Sequence, residues 1–80
     1  MNWQNVREMY PGKWALIEAL EAHSESGKRF LDQLSVIETF SNSLAAMRRY
    51  KILHKISPQK EFYVLHTDRI SPDIKEARRI

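Results

Sequence analysis

Glu21, His23 and Glu25 alternate along the chain, so on an extended backbone all three project to one side. Carboxylates and an imidazole converging in this way can hold a zinc or iron ion. The spacing matches no established ligand signature, however, and charged residues beside a chain reversal are ordinarily solvated. His54 and His66 complete the histidine set. A shared site with His23 requires three separate elements to converge, and imidazole serves as readily in surface or hydrogen-bonded structural roles. Ser24 and Ser26 neighbour His23, but no strand-to-helix elbow or oxyanion-hole glycine accompanies them. Two glycines cannot build a phosphate-cradling loop. The absence of cysteine excludes thiolate metal sites and thiol nucleophiles. The expectation is a protein that is not an enzyme, with no catalytic residues, no metal and no cofactor.

Cations offer a different chemistry. On a helix, Arg48, Lys51 and Lys55 fall within about one-sixth of the circumference, with Arg49 and Lys60 nearby. Such a stripe can neutralise nucleic-acid phosphates and release their counterions. It is equally the solvated side of an ordinary amphipathic helix. Tyr50 and Tyr63 are candidates for stacking on bases, although Tyr50 falls on the apolar arc and suits the core better. Trp3, Tyr10 and Trp14 read as core anchors, with an aromatic cluster at an interface, Trp14 above all, as the functional alternative.

The +3 net charge is unevenly spread. Residues 1–40 hold four Lys/Arg against six acids and residues 41–80 nine against four, giving −2 and +5. That asymmetry fits a polyanion-binding half, or two halves that attract each other within a fold or a dimer.

These groups must be positioned by a small domain. Eighty residues, 42% hydrophobic and 29% charged, suit one ordinary folded core near the lower size limit. Without disulfides, association is a common source of added stability in such chains, which makes a homodimer the expected state. No apolar run is long enough to span a bilayer, and the first residues lack the features of a secretory signal, so the expected location is cytoplasmic.

Residues 2–10 read as a short helix carrying Trp3, Val6 and Tyr10 at helical spacing and stopped by Pro11-Gly12. Residues 13–24 fit either state. Their propensity favours helix, while a strand would place Trp14, Leu16, Leu20 and Ala22 on one face and Ala15, Ile17 and Ala19 on the other. Glu25-Ser26-Gly27-Lys28 is a turn signal. Residues 29–40 read as a strand with Phe30, Leu34, Val36 and Phe40 on one face. Ser41-Asn42-Ser43 offers helix caps for a helix ending near Ile56, whose apolar arc is Ala46, Tyr50, Leu53 and Ile56. Phe62 to Thr67 reads as a short strand, and Ser71-Pro72-Asp73 predicts a short final helix over 72–79.

Tyr10, Gly12, Lys13 and Trp14, a helix-ending aromatic followed by Gly, Lys and a strand-opening Trp, resemble the signature of a small bacterial and archaeal domain family of unknown function. The order of elements over residues 3–67 is similar, although the section from Glu21 to Gln33 is longer than in that pattern. The resemblance implies a strand for residues 13–24 and supplies no activity.

The expected fold is therefore a single α+β domain of order α-β-β-α-β. Residues 1–12 form a helix and turn, 13–67 a β-β-α-β core with a long hairpin under one amphipathic helix, and 68–80 a tail. Apolar positions on both sides of residues 14–20, with Leu31 and Ile37, call for a second cover on the face opposite the long helix, supplied by a second subunit or partner. The expected function is a non-catalytic protein–protein interaction or regulatory module. The alternative is nucleic-acid binding through Arg48, Lys51 and Lys55.

Overall fold

The computed structural model describes residues 1–75. The elements are α1 (Trp3–Met9), β1 (Trp14–Glu25), β2 (Lys28–Phe40), α2 (Ser43–Ile56), β3 (Phe62–His66) and a two-residue β4 (Ile74–Lys75). The expected α-β-β-α-β order is present, and residues 13–24 are strand, not helix. Pairing is antiparallel throughout, in the order β3-β1-β2-β4.

Local chemistry sets the element ends. Asn2 and Asn5 form a reciprocal cap at the start of α1: each side-chain oxygen accepts from the other's backbone N–H, at 2.9 and 3.1 Å. Asn42 caps α2 by accepting from the Ala45 amide at 2.9 Å. Ser26 and Gly27 form the two-residue turn of the hairpin with φ of 51° and 78°, the left-handed pair whose twist matches that of the flanking strands.

The hairpin does not keep a simple alternation. Its register shifts three times, leaving Leu20 unpaired on β1 and Asp32 and Ile37 unpaired on β2. Each bulge moves the residues beyond it to the opposite face. Ala22 therefore packs with Ile17 and Ala19, and not with Leu16 as strict alternation requires, while Leu20 is exposed. Leu31 likewise joins Leu34 and Val36.

Two layers cover the sheet. On one face Trp3 and Val6 of α1, 4% and 0% exposed, pack with Ala15, Ile17, Leu31, Leu34 and Leu65. On the other, Leu16 and Phe62 are buried beneath α2, whose Ala46 is its fully buried residue. Part of the face expected to need a second subunit is thus covered from within the chain by Trp3 and Val6 of α1. Further ties hold α1 there. Leu34 N–H donates to the Met1 carbonyl at 2.9 Å, and the Trp3 indole donates to the Arg69 carbonyl at 2.7 Å.

Two sequence expectations fail. Ile56 is 71% exposed and does not join the rest of the expected arc, in which Ala46 is buried and Tyr50 and Leu53 are half-buried. The final helix does not begin at residue 72. Ser71 Oγ accepts from the Asp73 amide in a local turn, and Ile74 and Lys75 instead pair with Arg29 and Lys28 on β2, where Ile74 packs on the core. The rest of that predicted helix, 76–79, lies outside the described residues.

Candidate interaction surface

The 14 residues of α2, SLAAMRRYKILHKI, contain no acid and four cations. Ala46, Tyr50 and Leu53 turn towards the sheet, so the arc centred on Arg48, Lys51 and Lys55 turns away from it, and all three are exposed. Arg49 faces Glu38 of β2 at 3.8 Å, and beyond the helix Lys60 faces Glu18 at 4.0 Å. Among the described residues, Arg48, Lys51 and Lys55 have no ion pair. The expected stripe is therefore a set of unpaired charges projecting from one layer of the fold.

Apolar side chains border it. Leu44, Met47, Ile52 and Ile56 are 62%, 39%, 48% and 71% exposed. Their number is more than isolated exposed residues normally show on one short helix, and the charges lie among them. Of these four, the sequence reading placed only Ile56 on the inward arc. Trp14 lies on the sheet and not on α2. It is half-buried on β1 and edge-on to His66 at 4.9 Å.

The histidines do not assemble. His54 stacks on Tyr50, and His66 sits against Trp14 and accepts from the Asp68 amide at Nδ1. His23 Nδ1 lies 2.6 Å from Asp32 Oδ2, and its Nε2 lies 3.7 Å from Glu25. The hydrogen bond to Asp32, reinforced by the charges of Asp32 and Glu25 and opposed by desolvation and Arg29, raises the His23 pKa above 6.5. Asp32 lies on β2 two residues from Phe30, the register partner of His23. Among the described residues, no group of three or more His, Cys, Asp or Glu side chains is arranged to hold a metal ion.

Sequence reasoning also missed a polar cluster on the α1 side of the sheet. Arg29 grips Glu61 with two hydrogen bonds, Nε to Oε2 at 3.0 Å and Nη2 to Oε1 at 2.8 Å, and the Tyr63 hydroxyl donates to the same carboxylate at 2.5 Å. Small residues on the intervening strand, Ala19 and Ala22, leave the space for β2 to reach the segment entering β3. The Arg29 hydrogen bonds lower the Glu61 pKa against the opposing effect of burial. Burial first, then the bond to Glu61, raises the Tyr63 pKa to about 12. A carboxylate held ionised beside a phenol held neutral is a structural clasp. Neither group is poised to exchange a proton near neutral pH.

No family model matches the chain, and no curated protein or solved structure matches it significantly. Among the described residues, no helix is long and apolar enough to cross a membrane.

Proposed function

We propose that this protein is a non-catalytic interaction module that binds another protein through the outer face of α2. The observation that carries the proposal is the combination on that face of three exposed cations, without ion pairs among the described residues, with exposed apolar neighbours and no acid on the helix. Cations at an interface speed encounter and select acidic partners, while apolar neighbours contribute the contact that water does not compete for. A second copy of the chain is a poor occupant of this face. Twofold pairing sets the same patch against itself, and here that opposes cation to cation. Self-association, if used, therefore belongs to another surface.

Nucleic-acid binding is the second reading, favoured by the stripe of Arg48, Lys51 and Lys55 alone. Three phosphate contacts give a log–log salt slope of about −2.7 on duplex DNA, or about a 40-fold loss of affinity from 50 to 200 mM salt. The exposed apolar border favours protein over phosphate.

The test is quantitative affinity capture with the full chain and with an R48E/K51E/K55E variant shown to fold normally. Proteins retained by the native chain and absent from the variant, with nuclease treatment making no difference, support protein contact through α2. Retention unchanged by the triple reversal overturns it, and retention that requires nucleic acid transfers the assignment to the second reading.

A further inference from the structure

We infer that the segment recognised by α2 is an acidic amphipathic helix, carrying a central acidic row flanked by apolar residues. This deepens the proposed function and rests on it. Leu44, Arg48, Lys51 and Lys55 follow one another at spacings of four, three and four residues. That is the heptad rhythm, so the row runs nearly parallel to the axis of α2 and can be followed by a second helix at a shallow crossing angle. From Leu44 to Lys55 the row extends about 16 Å, roughly three helical turns of a partner.

The arrangement along the row reverses that of a coiled coil. In a coiled coil the seam is apolar and the borders are charged. On α2 three of the four seam positions are cationic, and the borders are Met47 on one side and Ile52 on the other, both exposed. A complementary helix places Asp or Glu at i, i+3 or i+4, and i+7, with large apolar residues beside them. Its acids meet the lysine and arginine heads, and its apolar residues meet Met47 and Ile52 and the alkyl stems of the lysines. Phosphodiester backbone offers the charges without the apolar borders. An extended acidic tail offers them without the straight, rigid row.

Selection of a random peptide display library against the full chain tests this, followed by affinity measurement of the enriched peptides and of a 20-base-pair DNA duplex as competitor. The expected motif has acids at helical spacing with apolar residues between them. Binding is expected to fall about tenfold in M47S/I52S, which alters only exposed side chains, and to be lost in R48E/K51E/K55E. Enrichment of acidic peptides without apolar periodicity, wild-type affinity of M47S/I52S, or tighter binding of the duplex overturns the inference while leaving α2 as the binding face. Peptide binding indifferent to the triple reversal overturns both.

Discussion

Replacing Glu61 by Gln isolates the clasp that fastens β2 across β1 to the start of β3. The substitution keeps the side chain's shape and removes the charge that receives two hydrogen bonds from Arg29 and one from Tyr63. Arg29 and Glu61 side chains are 28% and 30% exposed, so the pair is neither a fully solvated surface bridge nor a buried one. Exposed pairs contribute about 0.2–1 kcal/mol, and breaking a buried pair costs about 3–5 kcal/mol. Discounted for partial solvent screening, the expected loss is about 1–2 kcal/mol. For a domain of this size that is roughly 5–15 °C in Tm. Glu38→Gln, which disrupts the long and more exposed contact with Arg49, is the control and should cost under about 0.5 kcal/mol.

The pH dependence has a definite sign. The folded-state pKa of Glu61 lies below its ordinary 4.5, so the stabilisation is fully present above about pH 4.5 and disappears as pH falls through the lower folded value. Urea titrations of wild type and E61Q at pH 7, 5, 4 and 3 measure this directly. The gap between them should be widest at pH 7 and close at acid pH. A gap below about 0.3 kcal/mol at pH 7, or one that stays constant down to pH 3, refutes the clasp as a source of stability.

Three further outcomes follow from the fold. His23 has a raised pKa, so its pairing stabilises below pH 6.5 and is lost as pH rises through the folded value; Asp32→Asn should bring the imidazole titration, read by NMR, back towards 6.5. Gly27→Ala should cost about 1–2 kcal/mol by urea titration: a Cβ there meets nothing within 4 Å, so the penalty is that of holding φ at +78° with a side chain. Val6→Ala should cost about 2 kcal/mol by the same measurement if α1 covers the sheet, and close to nothing if that helix is loosely attached.

Most element ends were legible from punctuation, while residues 13–24 fit either state by pattern and only the resemblance favoured the strand that forms. Pro11-Gly12 stops α1, Ser26-Gly27 turns the hairpin, and Asn42 opens α2. Facing was less legible. A bulge is not written in any one residue, and the displacement of Leu20, Asp32 and Ile37 from the ladder scrambles an alternation that otherwise reads directly. A cover on the face opposite α2 is supplied at least in part by Trp3 and Val6, which the sequence presents only as a short flanking helix. The cationic stripe was visible from helical periodicity alone. Its apolar border was not, since helical spacing alone does not say that Leu44, Met47, Ile52 and Ile56 stay exposed.

Site-specific photocross-linking from position 51, compared with position 4 on the exposed side of α1, tests the role of α2 most directly. Both positions are exposed, so a cross-linking amino acid is tolerated at each. Cross-links from position 51 to a distinct protein, mapping to acidic residues and absent from position 4, are the expected result. Equal labelling from the two positions, or a partner captured from position 4 alone, contradicts the assignment of the outer face of α2 as the working surface.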